Sequence, residues 1–257
     1  MVKTKTNIKD IYHPEYNAKL LYWMKYRNTF NGGDNFIANY LYQFTNRESV
    51  VDFAFRRKIT YCPAFAKADI IEIKNSIFQR LTDTIREGGS PSYQDAIKGN
   101  DKGVDNNGND MNGYLGSIIL PELLSIGKVG IYIDKPLILP NETRLTAKNK
   151  RPYLYHYKAE DIESWAEDSD LNLTALKLKD TYYDTDLDTG LVKEEKIQYR
   201  LYKKDNNNVT VTFYDKDGKK INEEMLGISE IPFIIAELTH SLLVDVCNYQ
   251  IALLNLE

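Results

Sequence analysis

The residues best placed to do chemistry form an acidic stretch near residue 186. Counted from Asp184, carboxylates fall at positions one, three, five and twelve, namely Asp184, Asp186, Asp188 and Glu195. This spacing is typical of the calcium loop of helix–loop–helix proteins. However, Gly190 stands at position seven, where the calcium loop needs glycine at six, and the flanking residues predict strands. We therefore favour a polar hairpin turn, and a metal-binding enzyme that uses these four carboxylates remains the alternative.

Other residues with catalytic potential do not form a recognisable group. The three histidines are not spaced as metal ligands with a Cys, a carboxylate or one another; they are His13, His156 and His240. Cys62 and Cys247 are far apart in sequence, which favours buried thiols over a disulfide. The sequence contains none of the standard glycine-rich phosphate-loop motifs. The glycines Gly127 and Gly130 come at a predicted strand, whereas phosphate binding of this kind requires a helix N-terminus. We therefore expect no catalytic residue and no cofactor, and we do not expect this protein to be an enzyme.

Composition restricts the class of protein further. With 37 acidic and 33 basic residues the net charge is -4, which argues against tight, sequence-independent binding to nucleic acid. The longest basic run is Arg56–Lys58. No apolar run is long enough for a membrane helix, and the first residues do not resemble a signal peptide. The 19 tyrosines suit half-buried sheets and subunit interfaces, because their rings are apolar and their hydroxyls polar.

The first third of the chain predicts helices. A helix over residues 14–43 is interrupted at Gly32-Gly33, and a second covers about 47–60 and ends before Pro63. A third is predicted over about 67–87, since its apolar residues recur every three or four positions. Those residues are Ile70, Ile73, Ile77, Leu81 and Ile85.

Residues 88–113 differ sharply in composition from the chain on either side. They are rich in Gly, Asn and Asp and almost free of apolar side chains, so they predict a flexible loop that buries little surface. This loop divides the chain into a helical region, 1–87, and a mixed domain, 114–257. Together the regions predict an α+β fold.

The mixed domain begins with a predicted helix over 114–126, which Pro121 must start or kink. Strands follow at Lys128–Asp134 and near Tyr155, and then a short helix at 159–165. Alternating apolar and polar residues predict an antiparallel sheet with one solvated face, on which Lys177 and Lys179 lie. A last helix is predicted over 240–257, in which Leu242, Val246, Tyr249, Leu253 and Leu256 share a face. It reaches Glu257 without a capping residue, so we expect the chain to continue.

The order of these features resembles the N-terminal part of portal proteins of tailed bacteriophages. The front carries Trp23, Arg27, Gly32-Gly33, Tyr40-Leu41, Arg47, Arg56-Arg57 and Ile77-Phe78. The middle carries Leu123-Leu124, Gly127 and the segment from Gly130 to Pro136. The remainder carries Arg151-Pro152-Tyr153, Tyr157, Ile162, Trp165 and Ile231-Pro232-Phe233. These are core and turn residues, and their order along nearly the whole chain carries the resemblance; the loop at 88–113 departs from it.

The resemblance implies the portal fold, with this chain forming the wing and ending before the stem, clip and crown. It implies a dodecameric ring at one vertex of the capsid, through which double-stranded DNA passes without sequence recognition during packaging and ejection. The implied partners are further copies of the chain, the major capsid protein, the large terminase subunit and head–tail connector proteins. The implied location is the virion, and the host cytoplasm during assembly. Another head or connector protein of a virion is the alternative.

Overall fold

The computed structural model describes residues 7–79, 85–134, 151–186 and 188–256. The chain forms two compact units. We call Met1–Leu20 with Tyr157–Phe233 the sheet unit, and Leu21–His156 with Ile234–Glu257 the helical unit. The predicted boundaries at 87 and 113 both fall inside the helical unit. Among the described helices, none has the length and apolar character needed to cross a membrane.

The first two helices meet at a glycine pair, as the sequence predicts. Helix α1 covers Pro14–Asn31 and α2 covers Gly33–Tyr40. Gly32 has a φ of 58°, and a Cβ there would lie 3.0 Å from the backbone of Ala64. Only glycine satisfies both conditions, because a side chain is strained at this φ and crowded at this distance.

Helices α3, Val50–Ile59, and α4, Phe65–Phe78, follow. The side chain of Ser49 caps α3 by accepting the N–H of Asp52. The predicted helix over 67–87 is wrong in its length, since α4 ends at Phe78 and Ile85 lies in an irregular segment; Leu81 is outside the described residues. The fully buried residues of α4, Ala66 and Ile70, lie in its first half.

The segment 88–113 is not the loop without buried apolar residues that its composition predicts. It contains helix α5, Pro91–Ile97, and the first residues of α6, Met111–Tyr114. Ala96, Ile97 and Val104 are buried in one cluster with Tyr114 and Val129. The carboxylate of Asp105 accepts the backbone N–H groups of Asn107 and Asn109, so the polar residues satisfy one another. A few apolar residues at the right positions are enough to anchor a polar segment.

A wide helical turn joins α6 to the next helix. Residues Leu115–Ile119 form a π turn, and α7 covers Leu120–Ile126. Pro121 lies in the first turn of α7, where its missing N–H removes no necessary bond. The proline therefore starts α7 and follows the π turn, in agreement with the predicted start or kink.

A three-stranded sheet in the order β2–β1–β8 belongs largely to the helical unit. Strand β1 covers Lys128–Asp134, β2 covers Tyr153–Lys158 and β8 covers Phe233–Glu237. The predictions for β1 and β2 are confirmed. In the resemblance motif, Lys135 and Pro136 lie outside the described residues.

The last helix, α8, covers Val246–Leu254, so it begins later than the predicted residue 240. The five residues predicted to share a face are all exposed, whereas Leu243, Cys247 and Leu254 are buried. The apolar row that periodicity identifies is therefore on the outer side. Asn255 is the C-cap, so the predicted lack of a capping residue is also wrong; Glu257 is outside the described residues.

The sheet unit is built on five antiparallel strands in chain order. They are β3 Ile162–Glu167, β4 Leu173–Thr185, β5 Val192–Asp205, β6 Asn208–Asp215 and β7 Lys220–Met225. Asn206, with a φ of 54°, occupies the tight β5–β6 turn. The predicted helix over 159–165 is wrong. Ala159–Asp161 is a 3-10 turn, and Trp165, in β3, pairs with Leu176 of β4. Pairing with β4 outweighs the weak local preference for helix.

The predicted solvated face of this sheet is covered at its centre. Leu176 and Leu178 are buried on one face, and Lys177, which points to the other, is only 1% exposed. Residues Ile8–Asp10, a 3-10 turn, and the chain after it cover Lys177. The alternation of side chains was correctly predicted, but the covering segment is more than 160 positions away in sequence.

Candidate functional site

The acidic hairpin between β4 and β5 separates the predicted calcium ligands. Asp184 pairs with Glu194 across the strands, and Tyr183 pairs with Glu195. Neighbouring residues of a strand point to opposite faces, so Asp184 and Glu195 lie on opposite faces of the sheet. The Asp184 carboxylate accepts a hydrogen bond of 2.6 Å from Lys196, which holds the pKa of Asp184 below its usual range.

Asp186 is engaged by the turn itself. Its Oδ1 accepts the backbone N–H groups of Asp188 and Thr189 and the hydroxyl of Thr189, and these bonds lower its pKa. This is an Asx turn, in which a carboxylate replaces a missing backbone partner. Within the ranges that the structure describes, which omit Leu187, no group of three or more His, Cys, Asp or Glu residues is arranged to hold a metal ion.

Calcium should therefore leave the protein unchanged. We expect equal melting temperatures in millimolar calcium and in chelator, for the wild type and for Asp186→Asn, because the carboxylates point apart. Differential scanning fluorimetry checks this, and magnesium serves as the matched control ion. A calcium-dependent rise in the wild type that Asp186→Asn abolishes would establish the metal-binding alternative instead.

The histidines and cysteines have structural surroundings. The His13 ring stacks on Trp165 with 3.9 Å between ring centroids, and its Nδ1 accepts the N–H of Glu15. His240 is exposed. Cys62 and Cys247 are free and buried, as predicted. His13, Cys62 and Cys247 therefore contribute packing and local hydrogen bonds.

A buried ion pair that sequence analysis missed lies at the centre of the sheet unit. Lys177 Nζ is 2.6 Å from Glu163 Oε2, and Glu163 is only 3% exposed. The ammonium also donates to the carbonyls of Lys9 and Ile11, at 3.3 and 3.0 Å. The rings of Tyr12 and Tyr199 lie 4.6 and 4.8 Å from it. Desolvation raises the pKa of Glu163, and the hydrogen bond from Lys177 opposes that rise.

The N-terminal segment 7–13 is attached to the sheet at both ends of its path. Asn7 Nδ2 donates to the carbonyl of Asp217 after β6, and the N–H of His13 donates to the carbonyl of Glu163 in β3. Lys177 lies between these points and binds two carbonyls of the segment. The segment therefore crosses from one side of the sheet to the other, and the buried lysine holds its middle.

The opposite face of the same sheet holds a second buried polar group. Arg200 forms an ion pair with Asp180, and the Tyr157 hydroxyl donates to Asp180 Oδ1 at 3.1 Å. Arg200 lies over the ring of Phe213, with 5.7 Å to its centroid. Burial raises the pKa of Tyr157 far above its usual range. The only sequence signal for either cluster is a charged residue inside an apolar strand, which alternation alone assigns to solvent.

The outer surface of α3, in the helical unit, carries exposed apolar side chains. Phe53 and Arg56 face inward, whereas Val51, Phe55 and Ile59 lie four residues apart in an exposed row that we call the α3 ridge. Val50, Tyr61 and Phe65 next to this row in sequence are also exposed. Apolar side chains on the outer face of a helix mark a surface that another molecule covers.

Polar contacts fix α3 in place. The Arg56 guanidinium pairs with Glu48, at 2.8 Å from Nε to Oε1, and donates to the carbonyl of Tyr42. The hydrogen bond from Arg56 holds the pKa of Glu48 below its ordinary value. The ridge is therefore presented by a capped and anchored helix.

A shallow groove of about 400 Å³ lies beside α8, also within the helical unit. We call it the α8 groove; it is lined by Tyr42, Gln43, Phe44, Ile251, Ala252 and Asn255. Asn255 joins its two walls, since its Nδ2 donates to the Tyr40 carbonyl and its Oδ1 accepts the N–H of Tyr42. The groove presents two aromatic rings and an aliphatic wall.

Comparison with known proteins does not assign this chain to a class. No family model matches the sequence, and no curated protein matches it.

Proposed function

We propose that this chain is a structural subunit of a ring-shaped portal at the capsid vertex of a tailed bacteriophage. In this role copies of the chain assemble into a dodecamer that forms the channel for DNA packaging and ejection. The ring contacts the major capsid protein, and it binds the large terminase subunit first and head–tail connector proteins later. The protein belongs to the virion and, during assembly, to the host cytoplasm.

The observation that carries this proposal is the exposed apolar surface of the helical unit. The α3 ridge and the outer face of α8 both present large apolar side chains to solvent; on α8 these are Val246, Tyr249 and Leu253. In an assembly, neighbouring subunits cover such surfaces. A protein that works as a monomer would instead aggregate through them. The order of sequence motifs, which resembles that of portal proteins, is the reason for proposing a portal ring in particular.

The charge of the chain is compatible with a channel. Nucleic-acid binding gains affinity from each phosphate that a Lys or Arg neutralises, so a strongly basic channel would hold DNA in place. With a net charge of -4 this chain does not have that character. Duplex DNA is expected to slide past it without sequence recognition.

Closed rings test the proposal. We expect the complete open reading frame that contains this chain, purified without other phage proteins, to form uniform rings with a central hole. Negative-stain electron microscopy shows the hole, and mass photometry gives the number of subunits. A monomer at micromolar concentration would refute the proposed function, and open filaments would indicate a different head or connector protein.

A further inference from the structure

We infer that the α3 ridge of one copy packs into the α8 groove of the next copy around the ring. This inference rests on the proposed function, because it names the contact that joins neighbouring subunits. Ridge and groove are different surfaces of one chain, so the contact is head-to-tail. Repetition of a head-to-tail contact builds a ring when the rotation closes.

The exposed area suits an interface between copies. On the ridge side, Phe55, Tyr61 and Phe65 are between 64% and 78% exposed. At roughly 200 Å² for each aromatic side chain, these three leave about 400 Å² uncovered. The aliphatic residues Val50, Val51 and Ile59 are also exposed and add to this area. A stable interface buries about 800 Å² on each partner, which the six residues approach.

The groove has room for the central side chain of the ridge. The ridge presents Phe55 at its centre, between Val51 and Ile59, and the groove presents Tyr42, Phe44 and Ile251 around a space of about 400 Å³. That space exceeds the volume of one aromatic side chain. A central aromatic residue that enters an apolar pocket is the usual source of most binding energy at an interface.

Ridge and groove are rigidly connected within one chain. Arg56, on α3, donates to the carbonyl of Tyr42, which lines the groove, and Asn255 ties Tyr42 to the end of α8. A ring of identical contacts requires a constant relation between the two surfaces of each subunit, since the same angle must recur at every step. Anchoring before binding also lowers the entropy cost of assembly.

Two complementary variants of the full-length protein test the contact. Phe55→Asp disables the ridge and leaves the groove intact, whereas Ala252→Arg fills the groove and leaves the ridge intact. Both residues are exposed, so both variants should keep the circular-dichroism spectrum of the wild type. Leu191→Asp changes an exposed residue of the sheet unit and is the matched control.

We expect each variant alone to lose rings, with subunit affinity weakened roughly 30-fold or more, as for a central interface residue. An equimolar mixture should form heterodimers and no rings, because one functional ridge and one functional groove remain. Leu191→Asp should form rings as the wild type does. Mass photometry distinguishes monomers, dimers and rings.

Other outcomes overturn the inference in distinguishable ways. If the wild type and both variants form rings, the contact lies elsewhere, while the proposed function stands. If Ala252→Arg dimerises alone and the mixture gains nothing, ridge packs against ridge. If the wild type forms no ring, the proposed function fails, and the inference that rests on it fails as well.

Discussion

Replacing Lys177 with methionine should destabilise the sheet unit by about 3–5 kcal/mol, because it leaves the buried Glu163 carboxylate without its cation. A loss of this size is a large fraction of the total stability of an ordinary domain. The substitution also removes the donor to the carbonyls of Lys9 and Ile11, so the N-terminal segment should separate from the sheet. Hydrogen–deuterium exchange of peptides from β3, β4 and residues 7–13 measures both effects.

The loss should depend on pH in a defined direction. Burial raises the pKa of Glu163, and removal of Lys177 removes the main effect that opposes the rise. A carboxyl whose pKa is higher in the folded than in the unfolded state destabilises the fold as the pH rises through that folded value. The variant should therefore be closest to the wild type below the ordinary pKa of Glu and furthest from it above the raised value.

Two further variants make this prediction specific. The double variant Lys177→Met/Glu163→Leu should recover much of the lost stability, because no charge stays buried. A loss of about 1–3 kcal/mol should remain, since the carbonyls of Lys9 and Ile11 still lack a donor. Lys196→Met removes the exposed ion pair with Asp184 and should leave exchange in β4 unchanged. Equal effects of Lys177→Met and Lys196→Met would contradict the assignment of a buried, structural pair.

Phe36→Ala should destabilise the helical unit by about 3–5 kcal/mol, because it leaves a cavity in the core. Phe36 is 0% exposed and packs with Ile37, Leu41, Cys62 and Leu254, residues from α2, α8 and the chain around α3. Its ring lies 4.9 Å from that of Tyr40. Faster hydrogen exchange in α2 and α8, together with a lower melting temperature, measures the loss.

Phe55→Ala is the matched control, since the same residue type is truncated on the exposed ridge. In protein dilute enough to be monomeric, its stability should stay within about 0.5 kcal/mol of the wild type. At assembling concentrations it should weaken rings instead. A large loss of monomer stability in Phe55→Ala would mean that the ridge packs inside its own chain.

Helices and strands that depend on local chemistry were predictable from the sequence. The glycine pair at 32 and 33 ends α1, Pro121 starts α7, and alternation gives the antiparallel strands from β4 to β6. These features follow from backbone sterics, proline chemistry and side-chain period, all of which act over a few residues. The acidic hairpin is likewise a turn, as the glycine spacing and the flanking strands favoured.

Properties that depend on distant residues were not predictable. Composition correctly described 88–113 as polar, but three apolar residues bury it against residues further along the chain. Periodicity correctly placed a helix within 240–257 and grouped apolar residues on one of its faces, but only the tertiary structure decides that this face is exposed.

By itself the sequence determined the α+β class, most helices and strands, the polar hairpin at Asp184–Glu195 and the absence of a recognisable catalytic motif. Only the tertiary structure decided which faces are covered. Lys177 alternates with leucines as a solvated lysine would, yet residues 7–13 fold over it and make it the partner of Glu163. Phe55 is a large apolar residue within a predicted helix, yet it remains 64% exposed among the described residues. Burial depends on contacts with residues that are distant in sequence, and the local pattern carries no information about those contacts.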